Sequence, residues 1–533
     1  MKLSCENNHI WSRFHAAINE SATAAPRLQR RTCQSRGICD SLVNETLGEA
    51  QIRPLTDEVI GKTRLCWEYQ HVGDFKNMST FMASLEITGA VIRPDDAGYD
   101  EARTAWNLTV HHRPALIVVA KNTQDVVSAV QFAANEGLSV AVQSTGHGTI
   151  RQADQDALLI LTSGLNQLQV DAERQTAWVG AGLKWGEVVT AAQLHGLTPL
   201  FGASPIVGAV GYTVGGGVGW FGRKFGLAVD SVIHFEVVIS NGEIINASAT
   251  ENADLFWAIC GGGGAFGVIT RMEIKLYPVT QVYGGNLLYP VEAAKDVYRF
   301  YREWIKTLPD EFTTSIVLMN FPNFQSVPEF LRGTTGVMIR GAYVGSVQEG
   351  AAYIQQWLDW RAPTANMFQP MPVSEMHTIS NDPVDPVPSM TTGAYLRELS
   401  DAAIDSIIRY GVQRNGSAPL IFVEVRHMGG AISRIDSNAN AFSHRDQSLN
   451  LYMVGMTPIP DTMTLFKHYT RQFKRDLTSA LSGGAYLNFL EGAEARGRVR
   501  EGYTPEKFER LKAIKAKYDP DNRFGYSYNI PVN

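Results

Sequence analysis

Residues 140–150 read VAVQSTGHGTI, an apolar, β-prone run that stops at Ser144, Thr145, Gly146, His147 and Gly148. Val and Ala suit a buried strand, whereas Ser, Thr and Gly packed together suit a tight turn. A glycine on each side of the histidine leaves its imidazole accessible and lets the turn aim backbone N–H groups outward. Such a turn suits a nitrogen nucleophile beside a phosphate-bearing ligand. A histidine satisfied by structural hydrogen bonds is the alternative that the residues leave open.

The flanking pattern is regular in both directions. Upstream, PALIVVA (114–120) predicts a strand, Asn122 or Thr123 caps a helix with Val126, Val127, Val130 and Ala134 on one side, and Gly137 ends it. With LSVAVQ (138–143) as the second strand, this makes a β-α-β unit whose exit turn holds His147. Downstream, ALLILT (157–162) and TAWVGAG (176–182) predict strands, and a helix follows from about Trp185 to His195. Residues 231–248 predict a hairpin across Asn241-Gly242, and GVITRMEIKLYPV (267–279) predicts another strand.

Between that helix and the hairpin lie Gly208, Gly211, Gly215, Gly216, Gly217, Gly219, Gly222 and Gly226. Glycine at this density gives up packing and backbone entropy, so something must approach the main chain closely. A pyrophosphate is one reason; tight packing of chain against chain is the other. The dinucleotide pattern G-x-G-x-x-G is missing from the first strand-to-helix turn, AKNTQDV (120–126), which disfavours a nicotinamide-type site. Near the C-terminus AYLNFL (485–490) predicts a strand with Tyr486 and Asn488 on one face. A phenol of ordinary pKa about 10 needs help from its surroundings to accept a proton near neutrality.

The 533 residues are 44% hydrophobic, and 47 Lys and Arg against 53 Asp and Glu give a net charge of −6 without long runs of one sign. That balance argues against nucleic acid as a partner. Cys5, Cys33, Cys39, Cys66 and Cys260 are odd in number and four precede residue 70, so no disulfide framework is expected in the main body. The first thirty residues hold no apolar signal-like region and no apolar stretch approaches the roughly 18 to 20 residues of a membrane helix. The expectation is therefore a cytoplasmic enzyme without membrane contact. Residues 1–78 read as an N-terminal extension, expected to be disordered. Residues 281–470 alternate strands and helices as an antiparallel sheet backed by helices.

Taken in order, STGHG, VGAGLKWGEV, GASPIVGAVGYTVGGGVGWFGRKFGLAVDSV, DLFWAICGGGGAFGVIT, GGAYLNFL and YDPDNRFGYSYNIP resemble the FAD-linked oxidases of the vanillyl-alcohol oxidase superfamily, in its berberine-bridge-enzyme-like branch. The resemblance implies an α+β fold. A two-subdomain PCMH-type FAD-binding domain would span 79–280, a substrate domain 281–470, and a C-terminal segment, 471–533, would complete the FAD domain. It implies that His147 tethers FAD while Ser144, Thr145, Gly146 and Gly148, with Gly208, Gly211, Gly215, Gly216, Gly267, Val268 and Asn529, line the cofactor. Many members add a cysteine tether where this chain has Ser204, and a hydroxyl cannot form that thioether, so attachment through His147 only is expected. Val207 stands where a small residue goes with reaction of the reduced cofactor with dioxygen. Tyr486 is the preferred base, with Asn488 beside it. The implied activity is hydride transfer from a hydroxyl-bearing alcohol, sugar or secondary metabolite to FAD, with dioxygen as acceptor and hydrogen peroxide as product. A flavin dehydrogenase using another acceptor and a non-catalytic flavin-binding protein are the alternatives.

Overall fold

A computed structural model describes residues 85–532 apart from 324, 326 and 413–418. The N-terminal extension assigned to residues 1–78 lies outside the described residues. Three sheets form among those described. The first comprises β1 (Ala90–Ile92), β2 (Leu116–Val119), β3 (Ser139–Gln143) and β4 (Ala157–Leu161) in the order β1-β2-β4-β3. Strands β2, β3 and β4 run parallel, and β1 pairs antiparallel with β2.

The expected β-α-β unit is present, with the helix Thr123–Asn135 between its strands, but β2 and β3 are not neighbours. Strand β4, with all five residues buried, lies between them. Asn122 caps the helix by accepting from Asp125 N at 2.9 Å, and the buried Asp125 carboxylate accepts from Thr88 N, Gly89 N and Lys121 N at 2.7, 3.0 and 2.8 Å. One side chain therefore ties the entry to β1, the exit of β2 and the helix start.

The second sheet is antiparallel: β5 (Leu168–Asp171), β6 (Thr176–Gly180), β7 (Val232–Val238), β8 (Ile244–Ser248) and β9 (Val268–Lys275), in the order β5-β6-β9-β7-β8. The hairpin across Asn241-Gly242 joins β7 to β8. The third sheet has eight strands: β10 (Gln281–Pro290), β11 (Phe312–Asn320), β12 (Thr335–Tyr343), β13 (Ala365–Asn366), β14 (Gln369–Pro372), β15 (Ser389–Leu396), β16 (Phe422–His427) and β17 (Leu449–Met456). Its path is β13-β10-β12-β11-β16-β17-β15, all antiparallel, with β14 also pairing with β10.

Helices cover one face of the third sheet. Leu287, Ile316, Ile339, Val423 and Leu451 pack there against Tyr301, Trp304, Trp357, Ile404 and Phe473 from the helices Ala294–Trp304, Val347–Trp360, Asp401–Gly411 and Pro460–Asp476. Rings of Trp304 and Trp357 meet edge-on at 5.3 Å. Truncating a fully buried Trp of this kind costs about 3–5 kcal/mol, so this face is where the sheet's stability is concentrated. The opposite face turns toward a cavity.

The helix Pro505–Tyr518 begins at Thr504, whose hydroxyl accepts from Lys507 N, and buries Phe508, Leu511, Ile514 and Tyr518. Lys515, in the last turn of the helix, is fully buried: its ammonium donates to Asp519 at 2.5 Å and to Ala265 O at 2.7 Å. The Asp519 carboxylate also accepts from Arg523 N and Phe524 N. This buried ion pair, bound further by backbone at both ends, ties the C-terminal segment to the glycine loop at 261–265.

Candidate active site

A cavity of about 840 Å³ opens between the turn after β3, the glycine-rich loops and the uncovered face of the third sheet. That volume is ample for a large cofactor site. The Ser144–Gly148 turn forms part of its wall. Gly146 has φ +77°, and a Cβ there would lie 2.6 Å from the Ala105 Cβ, so both conformation and space require glycine. Gly148 has ordinary φ and open space around it, and no such requirement.

The His147 ring stacks on Trp106, centroids 4.1 Å apart and planes 15° from parallel. Its Nδ1 lies 2.8 Å from Thr145 Oγ1, while the buried Nε2 has no partner among the described residues. Burial pushes the imidazole pKa down to about 3, with Lys184 adding to the shift. The ring is neutral at physiological pH, so one of its nitrogens carries a lone pair and the other the hydrogen, and where Nδ1 donates to Thr145 Oγ1 the lone pair is left on Nε2.

Ser204, Val207, Gly208 and Gly211 line the cavity beside this turn, and Gly267 and Val268 line it at the start of β9. Gly208 brings its loop against Ser144: a Cβ would stand 2.8 Å from Ser144 Oγ. The hydroxyls of Ser144 and Ser204 are buried and unpartnered among the described residues, as His147 Nε2 is. Orphaned polar atoms that share one wall fit a ligand rich in hydrogen-bonding groups, as FAD is.

Gly215 and Gly216 do not line the cavity. A Cβ on Gly215 would fall 1.9 Å from Asn488 Oδ1 and 2.6 Å from the Tyr528 hydroxyl, and one on Gly216 would fall 2.6 Å from the Phe442 ring. Their lack of side chains lets these groups sit directly on the backbone, one layer behind the wall.

AYLNFL is not a strand. Tyr486 precedes a short 3₁₀ turn, Leu487–Phe489, closed by Phe489 N to Tyr486 O and Leu490 N to Leu487 O. Gly483, with φ +95°, precedes it, and the segment pairs with no sheet. Tyr486 and Asn488 nevertheless meet. The buried Tyr486 oxygen accepts from Gly217 N at 3.0 Å, Val218 N at 3.1 Å and Asn488 Nδ2 at 3.0 Å. Asn488 is held in turn, with Nδ2 donating to Tyr212 O and Oδ1 accepting from the Tyr528 hydroxyl, both at 2.9 Å. Burial pushes the Tyr486 phenol up; the N–H groups of Val218 and Gly217, the Asn488 amide and the Arg426 charge oppose it without cancelling it.

Asn529 was expected at the cofactor but its side chain is exposed. Alternate residues Tyr526, Tyr528 and Ile530 are buried, and this period-2 pattern turns Asn529 outward and Tyr528 into the cavity. The same alternation, legible in YSYNI, was the signal that points to Tyr528. Trp106, Arg340, Glu424, Arg426, Tyr452 and Glu491 also line the cavity and carry no local motif. The fully buried Glu424 accepts from Ser315 Oγ at 2.7 Å and Arg426 Nε at 2.8 Å. The Arg426 guanidinium lies 5.1 Å from the centroid of Phe489, which stacks on Tyr452 at 4.0 Å.

Residues 114–248 match the model of the FAD-binding domain, and residues 485–531 match that of berberine and berberine-like proteins. An uncharacterized FAD-linked oxidoreductase of Bacillus subtilis (strain 168) is 29% identical over 466 residues, 84% of this chain and 98% of the relative. The (R)-6-hydroxynicotine oxidase of Paenarthrobacter nicotinovorans is 27% identical over 471 residues, 85% and 99% of the two chains. Among solved structures, a glucooligosaccharide oxidase from Acremonium strictum, described with a 6-S-cysteinyl, 8α-N1-histidyl FAD, superposes with a TM-score of 0.72 at 22% identity, covering 84% of this chain and 97% of its own. The two matched segments hold the His147 turn and the Tyr486–Asn488 pair. The chain thus carries an FAD-binding domain and a berberine-like C-terminal segment, is similar to FAD-linked oxidoreductases along 84% of its length, and is an enzyme.

Proposed function

We propose that this enzyme oxidises a hydroxyl-bearing small molecule, an alcohol, sugar or secondary metabolite, with Tyr486 as the base and FAD attached through His147 alone. The observation that carries the reading is the convergence of three N–H donors on the Tyr486 oxygen inside the cavity. Those donors favour the phenolate and oppose the burial that still holds the phenol above its ordinary pKa, and the substrate hydroxyl would take the place of one of them to hand over its proton. Arg426 supports the same charge. Tyr486 would remove the hydroxyl proton of the substrate as a carbonyl forms on the same carbon, and Asn488 would keep the phenol oriented.

When bound, FAD supplies the acceptor for the hydride from that carbon, and dioxygen then takes the electron pair to give hydrogen peroxide. His147, neutral and with a lone pair, fits the nucleophilic half of a bond to the cofactor. Ser144, Thr145, Gly146 and Gly148 would hold the pyrophosphate with Gly208 and Gly211, and Val207 would border the path of dioxygen. Residues 79–280 and 471–533 would then form the cofactor half of the enzyme and 281–470 the substrate half.

Denaturing the purified protein tests the attachment: yellow colour is expected to stay with the polypeptide, and His147→Ala is expected to release it. Soluble colour from the unmodified protein would refute the tether. Peroxide yield with dioxygen, set against turnover with an artificial electron acceptor, tests the oxidase assignment; turnover confined to the artificial acceptor would make the enzyme a dehydrogenase.

A further inference from the structure

The uncovered face of the third sheet changes character along its strands. In β17 burial alternates cleanly: Leu451, Met453 and Gly455 are covered by the helices, while Tyr452, Val454 and Met456 are half-buried and line the cavity. On β16 the cavity side carries Phe422, Glu424 and Arg426. Register aligns Phe422 with Val454 and with Met319 of β11, Glu424 with Tyr452, and Arg426 with Asn450. The face therefore holds a charged band at Glu424 and Arg426, close to Phe489 and Tyr486, and an apolar band at Met319, Phe422 and Val454.

Met456, Ile421 and Pro458 extend the apolar band. The hydroxyl-bearing Ser389 and Thr391 of β15 flank it at the level of Met456 and Val454. Phe422, Val454 and Met456 are left half-open, with Met319 buried beside them, and their open apolar surface gains most when a ligand covers it. A carbohydrate body needs hydrogen-bonding partners along its length, and this band offers thioethers, hydrocarbon and a phenyl ring in their place.

We infer that the substrate is an elongated, mostly apolar alcohol, alkyl or aryl, whose body lies along Met319, Phe422, Val454 and Met456 while its oxidisable hydroxyl sits at the Tyr486 end. The inference rests on the proposed oxidation of a hydroxyl compound at this site and names its class of substrate. Glu424 and Arg426, which hold each other, mark the boundary between the reacting end and the body.

The test uses the holoenzyme with two probes, a series of 4-alkylbenzyl alcohols from methyl to pentyl and the disaccharide cellobiose. Binding is followed through perturbation of the bound cofactor's visible absorbance and by calorimetry. Each added methylene that reaches the band is expected to tighten binding by about threefold to fourfold, and cellobiose to bind more weakly than the butyl compound. Phe422→Ser and Met456→Gln should flatten that dependence, with FAD content within error of the parent and a moderate fall in Tm; should either fail to fold, the near-isosteric Val454→Thr provides the same comparison. A flat series, tighter binding of cellobiose, no binding of either probe, or an undiminished slope in the variants overturns the inference. A colourless protein, or a yellow one that oxidises no alcohol or sugar, would instead overturn the oxidase reading on which it rests.

Discussion

The two walls of the cavity are built in opposite ways. The wall proposed to hold the cofactor is made largely of backbone: Ser144–Gly148, Gly208, Gly211 and Gly267 present main chain and small groups, with glycines behind them that let other residues press close. The sheet wall is made of side chains on five strands, Met319, Arg340, Thr391, Glu424, Arg426, Tyr452 and Val454 among them, drawn from residues 319 to 456. A backbone wall suits a recurring ligand, and at Gly146, Gly208 and Gly267 it has no room for an added methyl. A wall of side chains on a sheet already stabilised from its other face can change residue by residue without loss of fold.

The largest expected effect falls where the walls meet. Tyr486→Phe keeps the ring and its edge-on contact with Phe489 at 4.8 Å but removes the oxygen on which three donors converge. General-base catalysis is worth about 10²–10⁴-fold, so kcat/KM should fall by that much at unchanged FAD content. Because burial pushes the phenol up and the base must be deprotonated, kcat/KM of the parent should rise with pH through the alkaline range, and the variant should lose that rise. Equal activity in the variant would remove Tyr486 from the base role.

Gly215→Ala breaks the comparison next. A single methyl would overlap Asn488 Oδ1 and the Tyr528 hydroxyl, both locked in hydrogen bonds. Overpacking costs about 1–3 kcal/mol, and here the displaced groups are the supports of Tyr486. A lower Tm and a fall in bound FAD per chain, read from visible against protein absorbance, are expected. The matching change on the other wall, Phe422→Ala, deletes far more atoms from a half-buried position. It should leave FAD content unchanged, with a stability loss below the about 3–5 kcal/mol of a fully buried Phe. Comparable loss of FAD in both variants would erase the distinction between the walls.

That distinction also explains what the sequence revealed. The STGHG turn, the glycine cluster and the Tyr-x-Asn pair are legible because backbone recognition leaves dense local signatures. The Asn241-Gly242 hairpin and the Thr504-capped helix are legible for the same local reason. Insertion of β4 between β2 and β3 is a matter of which strands pair at long range, and no local pattern records it. Arg340, Glu424 and Arg426 escaped because a sheet wall has period 2 on both faces; without the register, the helix-covered and cavity-facing sets look alike. Asn529 was misplaced by one residue in an alternating segment, which is enough to reverse inside and outside.

The smallest effect lies at the seam. Glu491, three residues after Asn488, faces the cavity and accepts from Thr391 N of β15 at 3.2 Å. Burial pushes its carboxyl up from 4.5 to about 8, opposed by hydrogen bonds from Thr391 and Asn107 and reinforced by the charge of Glu494. A carboxyl that keeps its proton to higher pH in the folded chain than in the unfolded one lends stability that is whole below about pH 4.5 and is lost as pH rises toward 8. Buried histidines act elsewhere: His112, His147 and His427, pushed down by burial to about 4, 3 and 3, change stability as pH falls below 6.5. Lys507, pushed down by burial to about 8, adds stability only as pH nears that value, so between pH 6.5 and 7.5 a decline in Tm, followed by far-UV circular dichroism, reports on Glu491. Glu491→Gln keeps the shape and an acceptor for Thr391 N but cannot ionise, and it should flatten that decline while leaving Tm at pH 6.5 nearly unchanged. An equally steep decline in the variant would mean that the carboxyl is already ionised in the fold, and that the contact between β15 and the Tyr486 segment joins the two walls without any link to pH.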